Sequence, residues 1–352
     1  MTNRVLVAMS GGVDSSVAAA LLVEAGYEVI GATMKLFCYG DSVPDRPCCS
    51  LDSIQDAAQV AHRIGIPHYT LNFESRFRRD VIDNFVDEYA RGRTPIPCVR
   101  CNSFTKFHDL LQHADALDCG YIATGHYAIA REGGLYRGRD RAKDQTYFLW
   151  GIDRSVVSRM LTPVGPLTKT ETRNAARRLG LVTAEKKESV EICFVPDGDY
   201  VDVLERHLPE DSPALAPGPL VTTSGEVIGE HQGYARFTVG QRRGLPGGSP
   251  EPMFVVGIEP EGRRVVVGTA NELLGNRVEL EDVNWLAAPL QPGDACEVQV
   301  RYRAAPVPAR VAAREGNTLT LALLQPARAI TPGQSGVLYS GERLLGGGLI
   351  AR

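Results

Sequence analysis

The first two hundred residues alternate between short apolar runs and longer stretches in which apolar residues recur every three or four positions. The apolar runs predict strands over 4–9, 28–37, 69–73 and 121–127. The longer stretches predict helices over 14–25, 51–64, 74–91, 104–117 and 169–179, the last capped by Gly180. Strands that alternate with helices of this length predict a parallel sheet covered by helices on both faces.

The pattern changes after residue 205, where a proline-rich connector over 209–219 precedes a series of short apolar runs. These runs predict strands over 254–258, 265–268, 277–280, 296–302, 318–323 and 336–339. Gly, Pro and Asn residues separate them, as is typical of antiparallel sheets and small barrels. We therefore predict an α/β protein with a doubly wound parallel-sheet domain over 1–205, a small β-containing central domain over 206–275 and a C-terminal β-barrel over 276–352.

The composition is that of an ordinary globular protein, with 43% hydrophobic and 23% charged residues among 352. It excludes a disordered chain, a coiled coil and a collagen-like repeat. No apolar run approaches the ~18–20 residues of a membrane helix, and the apolar segment at the start is too short for a secretory signal. We therefore expect a cytoplasmic protein with no membrane partner, whose eight cysteines are reduced thiols, metal ligands or catalytic groups.

The first predicted strand leads into the sequence SGGVDSS at 10–16, where the first helix begins. Two adjacent glycines allow a tight turn and let backbone N–H groups approach an anion without a Cβ in the way. The Asp and Ser residues that follow are favoured at a helix N-terminus, whose dipole carries about +0.5 charge. This succession of strand, loop and helix predicts a site for nucleotide phosphates, and a turn without a ligand is the alternative.

The loop lacks the Gly-Lys-Ser/Thr of a P-loop and the Gly-x-Gly-x-x-Gly of a dinucleotide site. It resembles the PP-loop, SGGxDS, of the N-type ATP pyrophosphatases, whose domain is of the adenine nucleotide alpha hydrolase kind. The resemblance implies ATP bound across the carboxyl ends of the first strands, reaction at the α-phosphate, and Mg²⁺ held by Asp14. The implied ATP-binding residues are Ala8, Met9, Ser10, Gly11, Gly12, Val13, Asp14, Ser15, Met34 and Gly125.

Seven of the eight cysteines lie in the first two hundred residues, and two of them form the motif Cys98-Val99-Arg100-Cys101. The motif precedes the helix predicted from 104, and Arg93 and Arg100 are close to it in sequence. A helix N-terminus and nearby cations lower the pKa of a thiol, so we expect reactive thiolates here. Cys193 likewise follows Lys186 and Lys187 closely.

The Cys98–Cys101 pair has an alternative interpretation, and the other cysteines have simpler ones. The Cys98–Cys101 pair is alternatively half of a structural zinc site that Cys48 and Cys49, or His68, would complete. Cys48 and Cys49 are otherwise expected to be plain loop residues. We expect three other cysteines to be small, buried, apolar residues: Cys38, Cys119 and Cys296.

Nine motifs spread over nearly the whole chain resemble those of the tRNA-specific 2-thiouridylases, the MnmA family. The first four are SGGVDSS at 10–16, GRTPIPCVRCN at 92–102, ATGHYA at 123–128 and RAKDQTYFL at 141–149. The others are EICFV at 191–195, FTVGQRRGL at 237–245, RYR at 301–303, PGQSG at 332–336 and LGGG at 345–348. A PP-loop alone occurs in many ATP-using enzymes, whereas its combination with CxxCN, KDQ and EICF is specific to this family.

The resemblance implies a reaction in which ATP adenylates the C2 oxygen of the wobble uridine of tRNA and sulfur replaces it. Cys193 would carry the sulfur as a persulfide from a cysteine-desulfurase relay. Cys101 would be the nucleophile, either releasing that sulfur or attacking the persulfide to form a Cys101–Cys193 disulfide. The resemblance places Ile96, Pro97 and Cys98 beside the target base of tRNAs with Lys-, Glu- or Gln-type anticodons. The implied tRNA contacts are His126, Lys143, Asp144, Gln145, Arg301, Tyr302 and Gln334.

One position departs from the pattern of the best-studied branch of this family. An aspartate proposed as an acid/base group stands there three residues before the nucleophile, and this chain has Cys98 at that position. A thiol does not replace a carboxylate in that role. The alternative is that Cys98, Cys101 and Cys193 hold three irons of a [4Fe–4S] cluster, whose fourth iron would bind and deliver hydrosulfide.

The net charge of −4 gives no global attraction for nucleic acid, but three segments are locally basic. The segment 131–143 has five basic and two acidic residues, while 231–243 has three arginines and 301–314 has four, both without an acid. Each alone is a solvated face in the simpler interpretation. Together they predict phosphate contacts along a folded RNA with a flipped base.

Two other functional classes remain possible on the sequence alone. One is a PP-loop ligase of the argininosuccinate or GMP synthetase type, which uses a nitrogen nucleophile and needs no thiol. The other is a non-catalytic RNA-binding or zinc-stabilised module, against which the intact SGGVDSS loop argues.

Overall fold

The computed structural model describes residues 2–37, 51–188, 192–195, 198–246 and 251–351. The elements before residue 101 are β1 (Arg4–Ala8), α1 (Val13–Glu24), β2 (Glu28–Lys35), α2 (Leu51–Ile64), β3 (His68–Asn72), α3 (Glu74–Phe77), a π-helical stretch (Arg78–Ile82), α4 (Asp83–Ala90) and α5 (Pro97–Arg100). Then follow a second π-helical stretch (Cys101–Lys106), α6 (Phe107–Ala116), β4 (Tyr121–Ala123), β5 (Ala128–Arg131), β6 (Gly134–Arg137), α7 (Arg154–Val157), β7 (Met160–Leu161) and α8 (Lys169–Arg178).

Strands dominate the rest of the chain. These elements are α9 (Val201–His207), β8 (Gly218–Thr222), β9 (Val227–His231), β10 (Phe254–Glu259), β11 (Arg264–Gly268), β12 (Leu274–Trp285), β13 (Ala295–Gln299), β14 (Val307–Glu315), β15 (Thr318–Arg328), β16 (Ser335–Ser340) and β17 (Arg343–Ile350). The chain divides into two compact units. The first comprises Met1–Val81, Cys98–Gly198 and Glu342–Leu344, and the second comprises Ile82–Pro97, Asp199–Gly341 and Leu345–Arg352.

The first unit is built on a parallel sheet whose described strands have the order β3-β2-β1-β4-β7. Val5 and Val7 lie in one apolar cluster with residues of α1, α2 and α8. Leu6 points to the opposite face because side chains alternate along a strand, and α6 packs against β1 and β4. Helices therefore cover both faces, as in a doubly wound fold. The hairpin β5–β6 pairs with Arg343 and Leu344 in the same unit.

The second unit contains two β-structures. A small sheet has the order β10-β11-β8-β9, in which β8 and β11 are parallel. The strands β12-β15-β14-β13-β16-β17 follow one another in a sheet that the pairing of β12 with β17 closes into a barrel. Its interior is an apolar cluster that includes Val278, Val298 and Leu321, all fully buried.

This architecture confirms the predicted fold class, and three local differences have physical causes. The helix predicted over 74–91 is interrupted by the π-helical stretch, and Gly92 follows with a positive φ of 70°. The helix predicted from 104 begins at Pro97, because proline is well suited to the first position of a helix. Seven of the described strands were not predicted, namely β5 to β9, β14 and β17; arginines interrupt the apolar pattern of β14, and glycines that of β17. Within the described residues, no helix is long and apolar enough to span a membrane.

Candidate active site

We call residues 9–16 the phosphate loop. They follow β1, turn tightly at Gly11 and Gly12 and include the first turn of α1. Gly11 has a φ of 70°, and a Cβ there would lie 2.1 Å from the carbonyl oxygen of Ser53 in α2. The Ser15 hydroxyl accepts from the N–H of Ser10 at 3.1 Å, and the Ser16 hydroxyl donates to the carbonyl of Gly12 at 2.8 Å. These hydrogen bonds fix the conformation of the loop at the N-terminus of a twelve-residue helix, and helix N-termini bind anions.

Two further predicted ATP-binding residues lie at the same edge of the sheet. Gly125 follows β4, and a Cβ on it would lie 2.5 Å from the backbone nitrogen of Ser15. Only glycine allows β4 to approach the first turn of α1 this closely. Met34 is half-buried near the end of β2, which runs parallel to β1. Because carboxyl ends of parallel strands share an edge, the phosphate loop, Gly125 and Met34 border one region.

Asp14, in the first turn of α1, belongs to a network of charged and polar side chains. Its carboxylate accepts from the Tyr127 hydroxyl at 2.9 Å and, with both oxygens, from the Lys169 ammonium at 2.8 Å. Lys169 also pairs with Glu188 at 3.1 Å, and Glu188 pairs with Lys143 at 2.6 Å. Burial and the Asp14 carboxylate raise the pKa of Tyr127, which therefore stays protonated and donates. Asp14 offers the carboxylate oxygens that Mg²⁺ prefers, and the metal would neutralise phosphate charge.

His126 lies directly after Gly125 and is half-buried. Its Nδ1 is 2.8 Å from the Thr124 hydroxyl, and its ring packs against Phe107 with centroids 5.9 Å apart. Burial, reinforced by the Lys106 ammonium, lowers the pKa of His126 to about 3. The imidazole is therefore neutral near pH 7 and can offer a hydrogen bond but no charge.

Cys98 and Cys101 lie at the beginning of a helical segment that runs from Pro97 through Ala116 without a break. Cys98 is exposed and Cys101 is half-buried. The early start of the helix places both thiols in its first turns, where the dipole favours a thiolate. Cys101 opens the π-helical stretch, a rare conformation that is frequent at functional sites. The predicted target-base residues Ile96 and Pro97 are buried, so Cys98 alone of the three presents an exposed side chain.

The segment that carries Cys193 packs on the same helical turn as the segment that carries Cys101. The ring of Phe194 meets the ring of Phe77 edge-on, with centroids 5.8 Å apart. Arg100 donates to the carbonyl oxygen of Asp80 at 3.3 Å. Residues 77–80 thus contact the neighbours of both cysteines, and Cys193 is half-buried there.

The loop that leads to Cys98 is held by side chains from distant parts of the second unit. Gln334 donates to the carbonyl oxygens of Thr94 and Pro95 at 3.1 and 3.2 Å. Arg93 pairs with Glu88 at 2.8 Å and with Glu281 at 2.5 Å. The charge of Arg93 is therefore compensated by two carboxylates, and its effect on the cysteines stays a prediction. We call residues 92–101 the cysteine loop.

The residues predicted to contact tRNA have different surroundings. Asp144 is 9% exposed, and its carboxylate accepts from Arg137, the N–H of Gly138 and the Thr146 hydroxyl. Gln145 accepts from the N–H of Tyr127 at 2.9 Å, so both side chains shape their own loop. Arg301 donates to the carbonyl of Val239 at 3.3 Å, and Arg303 lies over the ring of Tyr302. Their contacts with tRNA stay predictions.

The three basic segments also differ. In 131–143 the charged groups of Arg137, Arg139, Arg141 and Lys143 each pair with a carboxylate, from Asp144, Glu171, Glu342 and Glu188 respectively. Arg242 and Arg243 of the second segment are exposed, and no described carboxylate pairs with them. In the third segment, Arg310 donates to the carbonyl of Gly293 and Arg314 lies over the ring of Trp285. Because Arg236 of the second segment pairs with Glu205 at 2.6 Å, the positive surface of that segment rests on Arg242 and Arg243.

The metal interpretations receive no geometric support. No group of three or more His, Cys, Asp or Glu side chains among the described residues is placed to hold a metal ion. The described residues therefore give no support to a [4Fe–4S] cluster on Cys98, Cys101 and Cys193, and that cluster stays a prediction. For the zinc alternative, Nε2 of His68 lies 2.8 Å from the Thr33 hydroxyl, while Cys48 and Cys49, like Cys38, lie outside the described residues. Cys119 and Cys296 are buried, as predicted, and burial raises the pKa of each thiol, that of Cys296 to about 11.

Three residues of the phosphate-loop network were not predicted as site residues. Tyr127 lies in the motif ATGHYA, beside Gly125 and His126, and so had a signal in the sequence. Lys169 and Glu188 had none, because only folding brings α8 and the segment before Cys193 to the phosphate loop.

Comparison with protein-family models and with solved structures shows what this chain resembles. Three family models match in succession: the tRNA methyl transferase HUP domain over residues 3–197, the tRNA methyl transferase PRC-barrel domain over 201–269 and the aminomethyltransferase beta-barrel domain over 276–350. Among solved structures, a 4-thiouridine synthetase–RNA complex with bound ATP is 17% identical, with a TM-score of 0.36, and covers 58% of this chain and 50% of its own. Nothing about this chain follows from a likeness that small.

Curated proteins are similar along almost the full length. The tRNA-specific 2-thiouridylase MnmA of Geobacter metallireducens is 48% identical, covering 99% of this chain and 96% of its own. The protein of that name from Symbiobacterium thermophilum is 45% identical, over 100% of this chain and 93% of its own. The one from Rhodospirillum centenum is 48% identical, over 99% of this chain and 92% of its own.

Proposed function

Because the chain belongs to the MnmA family of tRNA-specific 2-thiouridylases, we propose that it converts the wobble uridine (U34) of tRNA to 2-thiouridine with ATP. The observation that carries the proposal is the content of the first unit. It combines a phosphate loop with two cysteine-bearing segments that pack on the same helical turn, at residues 77–80. This supports a site for activating an oxygen and a site for delivering sulfur within the same compact unit.

In the first step, the C2 oxygen of the uridine attacks the α-phosphorus of ATP and pyrophosphate leaves. The N-terminus of α1 and the backbone of Gly11 and Gly12 support this role, because they offer donors to phosphate oxygens. Gly125 and Met34 border the same region and would face the adenosine. Adenylation changes a poor leaving group into AMP, which is what the sulfur step requires.

In the second step, the terminal sulfur of a Cys193 persulfide bonds to C2, and AMP leaves with the electron pair of the C–O bond. The Cys101 thiolate then attacks Sγ of Cys193, and the transferred sulfur keeps the electrons of the broken S–S bond. The products are 2-thiouridine, AMP and a Cys101–Cys193 disulfide, which a thiol reductant of the cell reduces. The placement of Cys101 in the first turns of a helix supports its role as the thiolate.

The proposed partners follow from this chemistry. The substrate is a tRNA with a wobble uridine, of the Lys, Glu or Gln type, and the sulfur comes from a cysteine-desulfurase relay. Both are expected in the cytoplasm, where thiols are kept reduced. The exposed Arg242 and Arg243 support phosphate contacts, so tRNA affinity should fall steeply between ~50 and ~200 mM salt.

The test is nucleoside analysis of tRNA incubated with the protein, ATP, Mg²⁺ and a sulfur source. We expect 2-thiouridine with the wild type, and none above background with Cys101→Ser or Cys193→Ser. Cys119→Ala is the matched control, because this thiol of the first unit is buried, donates to the Leu117 carbonyl and should be dispensable. Thiolation that survives Cys101→Ser, or a wild type that adds no sulfur to any wobble uridine, contradicts the proposal.

Two alternative reactions are distinguished by the iron content and absorbance of the protein and by the nucleosides formed. A hydrosulfide route through a [4Fe–4S] cluster requires roughly four irons per chain and absorbance near ~400 nm in anaerobically purified protein. A ligase would consume ATP with a small nitrogen nucleophile and leave tRNA unchanged. The phrase methyl transferase in two family-model descriptions raises a methyl-transfer alternative, which the nucleoside masses distinguish directly.

A further inference from the structure

The phosphate loop has no lysine of its own, although a triphosphate needs a cation close to it. In a P-loop that lysine follows the glycines directly. Here Val13 stands directly after the glycines and Asp14 follows it, so the loop presents a carboxylate and no ammonium next to its glycines. A polyphosphate approaching α1 would be repelled by Asp14 unless another group compensated its charge.

The structure places one ammonium against that carboxylate. Lys169 is the first residue of α8, and its Nζ lies 2.8 Å from both oxygens of Asp14. We propose that Lys169 is the phosphate-binding cation of this site, which turns from Asp14 to the triphosphate when the nucleotide binds. The proposal rests on the ATP-dependent function above and names a residue to which that function assigned no role.

The backbone of Lys169 is fixed while its side chain can reach the loop. Thr168 and Glu171 form a reciprocal capping box at the start of α8, and the Lys169 N–H donates to Asp140 at 3.0 Å. The side chain of Lys169 is 12% exposed, whereas Asp14 and Glu188 are 30% and 31% exposed. The network therefore opens to solvent through its two carboxylates, so a ligand can compete for the ammonium.

The charge balance of the network favours an anion. Glu188 contacts three cations: Lys143 at 2.6 Å, Lys169 at 3.1 Å and Arg173 at 3.7 Å. With Asp14 and Glu188 ionised, the five groups carry one net positive charge. Removing the Lys169 ammonium would bring that charge to zero and leave Asp14 uncompensated beside the incoming phosphates.

The competing interpretation is that Lys169 only clamps α8 to α1. The chain supplies a matched control, because Arg178 at the other end of α8 pairs with Glu24 at the other end of α1, at 2.7 Å. Arg178→Gln breaks an ion pair between the same two helices, far from the phosphate loop. If Lys169 acted only as a clamp, Lys169→Gln would lower the free energy of unfolding and weaken the binding of ATP and adenosine equally.

The experiment measures the affinity of the full chain for ATP and for adenosine, with thermal unfolding as a check on folding. Lys169→Gln should weaken ATP binding about 10- to 100-fold, the range for hydrogen bonds to charged groups, and leave adenosine binding unchanged. Lys169→Arg should restore most of the ATP affinity, and Arg178→Gln should keep all of it.

ATP affinity that Lys169→Gln leaves intact overturns the inference, as does an equal loss for ATP and adenosine. A loss of ATP affinity in Arg178→Gln as large as in Lys169→Gln also overturns it, because both changes would then act through the helix pair. A wild type that binds no ATP contradicts the proposed function instead, so the two failures are distinguishable.

Discussion

The phosphate loop and the cysteine loop are held in place by different kinds of contact. The phosphate loop is fixed by its own serines and by backbone that approaches Gly11 too closely for any side chain. The cysteine loop depends on side chains far away in the sequence, above all Glu281 and Gln334. The first should therefore be sensitive to changes in the backbone, and the second to side chains that never touch a substrate.

The largest effect is expected from Gly11→Ala. The new Cβ would meet the Ser53 carbonyl at 2.1 Å in addition to adopting a positive φ, so α2 or the loop must move. We expect the free energy of unfolding to fall by about 3 kcal/mol or more, with loss of ATP binding. Thermal or denaturant unfolding and ATP titration measure the two effects.

Gly26→Ala is the control for that substitution. Gly26 has a φ of 82°, similar to that of Gly11, but a Cβ there would meet nothing within 4 Å. Gly26→Ala should lower the free energy of unfolding by about 1 kcal/mol, because only the left-handed conformation opposes the new side chain, and should leave ATP binding intact. Equal losses in the two variants would mean that the close approach to Ser53 does not hold the phosphate loop.

The next effect concerns Arg93 in the cysteine loop. Arg93→Gln leaves the buried Glu88 without its main cation and also removes the contact with Glu281, so we expect a loss of about 3 kcal/mol in unfolding free energy. Arg91→Gln is the matched control, because Arg91 faces the same carboxylate at 3.9 Å but is 69% exposed and should contribute almost nothing. Similar losses in both variants would show that Arg93 has no special role.

A smaller effect is expected from Gln334→Ala, which removes two hydrogen bonds to the cysteine loop. We expect a loss of about 1–2 kcal/mol in unfolding free energy, faster exchange of the Arg93, Thr94 and Ile96 amides and slower thiolation. Gln291→Ala, which removes a bond from an exposed glutamine to the nearby Pro289 carbonyl, should change none of these. Weaker tRNA binding with unchanged amide exchange would instead favour Gln334 as a tRNA contact.

The same contrast explains what the sequence could predict. The phosphate loop, its strand and its helix are local in the chain, so glycine, serine and apolar periodicity predicted them together. The parallel sheet followed from the alternation of strands and helices before residue 205, and the barrel from the short apolar runs after it. The end of α2 at Ile64 was predicted to the residue, because its apolar face repeats regularly over 51–64.

The contacts of the cysteine loop could not be predicted in this way. Gln334 meets Thr94 across 240 positions, and neither residue carries a local signal of the other. Lys169 and Asp14 are 155 positions apart and meet only because α8 packs beside α1. The start of the helix at Pro97 was missed because two prolines suggested a loop, although the second is well placed at a helix N-terminus.

The last prediction concerns acid and separates the two loops once more, since His126 lies on the phosphate-loop side and its effect is absent above pH 6.5. Its pKa is about 3 in the folded chain and about 6.5 when unfolded, so the unfolded state binds the extra proton between these values. The free energy of unfolding is therefore unaffected by His126 above pH 6.5. It falls as the pH drops towards 3, by up to about 1.4 kcal/mol per pH unit. His126→Asn should remove this slope in denaturant unfolding between pH 6 and 4, whereas His62→Asn, which removes an exposed imidazole, should keep it. A wild-type slope that persists in His126→Asn would assign the acid sensitivity to other groups.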